Sequence, residues 1–213
     1  GPIMNGDSKW VSKSTSDARN KFEFVGNKKC KIWISIFDLP IFFDNDLINH
    51  RWPCNDHPLE MHNLFFNNII TLLEEFDDVG LIYKPKRPAE IDNKGNRIIS
   101  EGLRNFISKN NKFLLNNRII VLHHNVDPYI PIAISDYAIC MPFTSAAQAM
   151  IYFNKPSIYY DPTGYNKNVL PKEISDITIL NNVDLKDCIN QWLLIKEKDY
   201  DKGISSCKNI IYN

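Results

Sequence analysis

The chain has no net charge: Lys plus Arg number 25, and so do Asp plus Glu. Without a global basic field there is no electrostatic footprint for nucleic acid, and binding to a membrane surface would need a local patch. No apolar run reaches the length of a transmembrane span, and no signal peptide is visible. Cysteine is sparse. Cys30, Cys54, Cys140, Cys188 and Cys207 are odd in number and widely spaced, and they form no C-x-x-C pair. This argues against a disulfide framework and for a reduced, cytoplasmic setting.

Several motifs are missing. There is no G-x-G-x-x-G, no G-x-x-x-x-G-K-[ST] and no G-x-S-x-G. Dinucleotide, P-loop and elbow-serine readings are therefore disfavoured. Cys54, His57 and His62 imitate metal ligands, but their spacing matches no strong zinc pattern and no fourth ligand is evident. No metal and no cofactor are expected. Internal repeats and low-complexity segments are also absent.

What is present is alternation. Six short apolar runs read as strands: 30–37, 79–84, 118–122, 136–141, 156–160 and 177–180. Between them lie helical patterns. His62, Phe65, Phe66, Ile69, Ile70, Leu72, Leu73 and Phe76 recur at three- and four-residue steps. Ser100 opens a second helix carrying Leu103, Phe106, Ile107 and Leu114. Shorter helices are expected over 129–135 and around Ala146, Ala149, Met150 and Phe153, and a last one carries Leu185, Cys188, Ile189, Trp192 and Leu193. Continuous apolar strands alternating with helices predict an α/β fold. It is a doubly wound, mostly parallel, Rossmann-like sheet of about six strands with helices on both faces. Residues 1–28 read as a polar lead-in whose Gly1-Pro2 looks like an expression scar, and residues 29–213 as one domain.

In this topology every strand-to-helix loop opens on one edge of the sheet, where such folds bind their ligands. The stretch Tyr137-Ala138-Ile139-Cys140-Met141-Pro142-Phe143-Thr144-Ser145 runs from a strand directly into a helix. Free N–H groups and the positive end of the helix dipole favour an anion there. Lys84-Pro85-Lys86-Arg87 ends the second strand on the same edge. Cations opposite a helix start suit a phosphate or phosphodiester. Each feature has a plainer reading. Thr144-Ser145 serves equally as an N-cap, and the basic run as a solvated loop. His123-His124 is either structural or ligand-contacting. Asp161 either caps a turn or accepts bonds from ribose or sugar hydroxyls.

The block Ile134-Ser135-Asp136-Tyr137-Ala138-Ile139-Cys140-Met141-Pro142-Phe143-Thr144-Ser145, followed by Lys155-Pro156-Ser157-Ile158-Tyr159-Tyr160-Asp161-Pro162, resembles bacterial surface-polysaccharide biosynthesis proteins with a "PFTS" motif. The resemblance spans roughly Lys31 to Gly164 and is most specific in that block. It implies a glycosyltransferase-like protein of the GT-B arrangement, in which two Rossmann-like domains face each other and the C-terminal one holds the nucleotide-sugar donor. The chain looks like that C-terminal half. Similar donor domains of sialic-acid and Kdo transferases hold cytidine monophosphate with a His-Pro element and a Ser/Thr pair. Thr144-Ser145 matches the pair, whereas Lys84-Pro85-Lys86-Arg87 stands in place of His-Pro.

The resemblance thus implies donor phosphate binding by Lys84, Lys86, Arg87, Pro142, Phe143, Thr144 and Ser145, with a CMP-sugar as one donor. It places His123, His124 and Asp161 at the ribose, base or sugar. The long loop 41–58, with Trp52 and His57, would face the glycan acceptor. An N-terminal Rossmann-like domain or a partner chain would complete the enzyme and bring the catalytic base. The location implied is cytoplasmic, or peripheral at the inner membrane. Two other readings are a non-catalytic binding module of an assembly complex and half of a nucleotide-sugar epimerase.

Overall fold

The structure is a computed structural model that describes residues 29–39, 58–86, 90–91, 97–98, 100–114, 117–166 and 172–198. The lead-in 1–28, Trp52, His57 and Arg87 lie outside the described residues.

Six strands form one sheet: β1 (Ile32–Phe37), β2 (Val79–Lys84), β3 (Ile119–Val121), β4 (Tyr137–Cys140), β5 (Ser157–Tyr160) and β6 (Thr178–Ile179). Their order across the sheet is β3-β2-β1-β4-β5-β6, and every neighbouring pair is parallel. The chain winds outward from β1 to β3, returns to the middle, and winds outward again from β4 to β6. This is the doubly wound order, with its switch point between β1 and β4. The helices are α1 (Pro58–Glu75), α2 (Glu101–Leu114), α3 (Tyr129–Ile134), α4 (Ser145–Tyr152), α5 (Lys172–Ser175) and α6 (Asn182–Lys198). A two-stranded antiparallel ribbon, Glu90–Ile91 with Arg97–Ile98, and the one-turn α5 are additions the sequence patterns do not show. Among the described residues no helix is long and apolar enough to cross a membrane.

Both faces of the sheet are covered, so β1 and β2 are buried at every position. One face carries Ile32, Ile34, Ile36, Leu81, Tyr83 and Ile139 against α1, α2 and α6. Here Phe66 meets Tyr83 and Phe106 edge-on or tilted at 5.2 and 5.3 Å. Trp192 of α6 stacks flat on Tyr137 at 4.3 Å. The other face carries Trp33, Phe37, Ile82, Ala138 and Cys140 against α3 and α4. Lys155 secures that second layer. Its ammonium donates to the Ile132, Ala133 and Ser135 carbonyls at the end of α3, at 2.8, 2.6 and 2.6 Å.

Pro58 opens α1 at the position where a missing N–H costs nothing. Ser100 caps α2, accepting the Leu103 N–H at 3.0 Å. The two helices touch at Gly102, where an added Cβ would stand 2.4 Å from the Asn63 backbone oxygen. Backbone cannot swing aside as a side chain can. Gly102→Ala is therefore expected to push α1 and α2 apart and cost about 2–3 kcal/mol, as core overpacking does. Urea unfolding checks this, and an unchanged midpoint would refute the close approach.

Candidate functional site

Strand register sets the site. Lys84 pairs with Phe37, and Phe37 with Cys140, so these three stand in a row at the carboxyl edge of β2, β1 and β4. Two strand spacings separate the Cα atoms of Lys84 and Cys140, about 10 Å. By strand alternation all three side chains lie on the face of α3 and α4. The basic loop and the Pro142-Phe143-Thr144-Ser145 turn thus flank the switch point on one edge.

The turn after β4 is tight. Phe143 has φ 65, a left-handed conformation that a bulky side chain rarely adopts. Thr144, only 4% exposed, donates its hydroxyl to the Met141 carbonyl at 2.9 Å and receives the Tyr159 hydroxyl on its own carbonyl at 3.0 Å. It occupies the N-cap position of α4 but makes no side-chain cap bond. The first N–H groups of α4 therefore get no acceptor from that side chain. Ser145 is exposed, while Pro142 is buried and Phe143 half-buried. Of the two hydroxyls read from the sequence, Ser145 faces solvent and Thr144 has already given its proton to the turn. The thiol beside them, Cys140, is buried, and burial pushes its pKa up to about 12, so it is no nucleophile.

Lys84 stands across from this turn. It is 7% exposed, and among the described residues its ammonium makes no hydrogen bond or ion pair. Burial lowers its pKa, while Asp38 and Asp127 pull the other way. Lys86 is exposed, and its backbone N–H donates to Asp38 Oδ1 at 2.8 Å. His123 and His124, after β3, lie with ring centres 4.0 Å apart. The His124 pKa is lowered by desolvation first, then by His123 and Lys84. The histidines thus belong to the Lys84 side of the edge.

Asp161 belongs to its own loop. It is fully buried, and its oxygens accept from the Thr163 N–H and hydroxyl, the Gly164 N–H, and the Asn166 backbone and side-chain N–H groups. The turn-capping role describes this carboxylate; with all five bonds internal, none is left for ribose.

Sequence reasoning missed a buried polar chain. Asp38 Oδ2 accepts the Tyr83 hydroxyl at 2.7 Å and lies 3.7 Å from His62 Nε2, while His62 Nδ1 lies 2.7 Å from Ser100 Oγ. An acid at the end of β1, on the ligand-binding edge, was the available signal. His62 and Ser100 are too far apart in the chain for spacing to join them. Cys54 and His57 lie outside the described residues, and among those described no three His, Cys, Asp or Glu groups converge on a metal position.

The family model described as polysaccharide biosynthesis PFTS motif protein matches residues 14–191. No curated protein matches the chain. Among solved structures, Anabaena HepE in complex with UDP and glucose is similar at a TM-score of 0.55 and 12% identity, over 93% of this chain and 47% of that one. The N-terminal domain of Candida albicans trehalose-6-phosphate phosphatase is similar at a TM-score of 0.50 and 14% identity, over 97% and 43%. The chain therefore spans about half the length of these structures, and at such identities the likeness is one of fold.

Proposed function

We propose, since the chain belongs to the PFTS-motif family of polysaccharide biosynthesis proteins, that its described domain is the nucleotide-sugar donor domain of a GT-B-type glycosyltransferase. The observation that carries this reading is Lys84: a largely buried cation whose ammonium makes no hydrogen bond or ion pair among the described residues, on the edge where the start of α4, without a side-chain cap bond, also opens. Both features attract a phosphate, and they flank the switch point of the sheet. With about 10 Å between the two backbones, a diphosphate engages both ends more readily than a monophosphate. UDP in the similar HepE structure agrees with a diphosphate donor, whereas a CMP-sugar has only the Thr144-Ser145 resemblance behind it.

In this reading the leaving diphosphate gains charge as the glycosidic bond breaks. Lys84 and the α4 N–H groups receive that charge without reorganising, which is electrostatic stabilisation and not covalent catalysis. Ser145 and Lys86 reach the same phosphates from solvent, and His123 and His124 flank the ribose or base. The acceptor and the catalytic base come from a second domain or a partner chain.

Calorimetric titration with UDP, CMP and GDP tests the site, with UDP expected to bind most tightly. Ser145→Asp gives a signature that misfolding cannot imitate. An acid in the first turn of a helix supports the fold by about 0.3–1 kcal/mol, yet it repels a bound phosphate. Binding is expected to disappear while the melting temperature holds or rises. Absence of binding by any nucleotide at millimolar concentration would remove the donor site. Release of free nucleotide with an altered sugar and no acceptor would identify an epimerase half instead.

A further inference from the structure

We propose that Asp38 is a positioning residue of the Lys84 site: its carboxylate clamps the chain on both sides of Lys84 and so holds that side chain at the crevice. This rests on the donor-site reading only for its link to nucleotide binding.

The geometry is specific. Asp38 follows Phe37, the register partner of Lys84. One carboxylate oxygen takes the Tyr83 hydroxyl at 2.7 Å and the other takes the Lys86 N–H at 2.8 Å, so the bonds straddle Lys84. Asp38 is itself only 7% exposed. It is backed by His62, whose Nε2 is 3.7 Å from Oδ2. Ser100 Oγ accepts the Leu103 N–H and lies 2.7 Å from His62 Nδ1, so the imidazole is held between Ser100 and Asp38. The end of β1, β2 with the residues after it, and α1 thus meet at one carboxylate, and the start of α2 braces the histidine.

The groups acting on Lys84 are Asp38 and Asp127, which favour its charged form, against desolvation. His124, with His123 behind it, lies on the same side, and Lys86 follows two residues on. Asp38 comes before Asp127 in strength. Neutralising Asp38 therefore makes the proton on Lys84 easier to lose, and neutralising Asp127 does so to a smaller degree.

The test is a pH titration of the Lys84 side chain by NMR in isotopically lysine-labelled protein, paired with UDP calorimetry. Asp38→Asn is expected to move the Lys84 titration to lower pH, and with it the alkaline loss of UDP binding. Asp127→Asn moves both less. Tyr83→Phe keeps the charge but cuts one arm of the clamp; it leaves the titration in place and weakens UDP about three- to tenfold, the value of one hydrogen bond. An unmoved Lys84 titration in Asp38→Asn overturns the proposal. So does unchanged UDP affinity in Tyr83→Phe, which remains available should the Asn variant not fold. If UDP binds neither wild type nor variants, the donor-site reading fails, and the Lys84 titration still decides whether Asp38 governs its charge.

Discussion

Lys84→Met is expected to weaken UDP binding by about 10- to 150-fold, the equivalent of one charge-assisted hydrogen bond worth about 1.5–3 kcal/mol. The same change leaves the melting temperature unchanged or higher. Lys84 is buried along most of its length and, among the described residues, carries no ion-pair partner. Methionine fills a similar volume without bringing a desolvated cation inside. The pH dependence has a definite sign. Desolvation lowers the Lys84 pKa below its ordinary 10.5, so between those two values the unfolded chain holds more protons than the folded one. Wild-type stability therefore gains a contribution as pH rises through the lowered pKa toward 10.5, and Lys84→Met lacks that gain. A melting temperature that falls sharply in the variant would show that Lys84 holds the fold and does not await a ligand.

The second large effect is on stability. Arg118→Met is expected to cost about 3 kcal/mol, because it strips several carbonyls of a charged donor and an unsatisfied buried acceptor costs about 1–3 kcal/mol. Arg118 precedes β3 and is 6% exposed. Its guanidinium donates to the carbonyls of Val79 at 3.2 Å and Leu73 at 3.0 Å, to that of Phe76, and to Asp77. These carbonyls include the orphaned last turn of α1, and the bonds tie that turn to the start of β2. Without the arginine the Leu73 and Val79 carbonyls lose this donor, while Phe76 keeps only the long bond from the Val79 N–H. Urea denaturation measures the loss as a lower midpoint at unchanged slope. A cost below about 1 kcal/mol would mean that water reaches those carbonyls, contrary to the burial.

The strands were legible because each is a short apolar run bounded by turn residues. Asp38-Leu39 closes β1, Pro85 follows β2, and Asp161-Pro162 closes β5. Their parallel pairing followed from the intervening helices. Boundaries shifted inward by a residue or two, as at Cys30 before β1 and Leu122 after β3. That the basic loop and the Pro142-Phe143-Thr144-Ser145 turn share one edge was legible from topology alone. The charge balance of that edge was not. Asp38, His62, Ser100 and Tyr83 are joined only by tertiary packing across four elements, and Thr144 looked like a cap although its hydroxyl folds back on Met141. Arg118 read as an ordinary strand residue, because no sequence pattern marks a guanidinium that serves carbonyls 39 and 45 positions away.

The sheet also tapers. Its two longest strands, of 6 residues each, lie side by side within it, while the borders are β3 with 3 residues and β6 with 2. A rim that short offers a foreign strand almost nothing to zip onto, so lateral growth into fibrils finds no rail to start from.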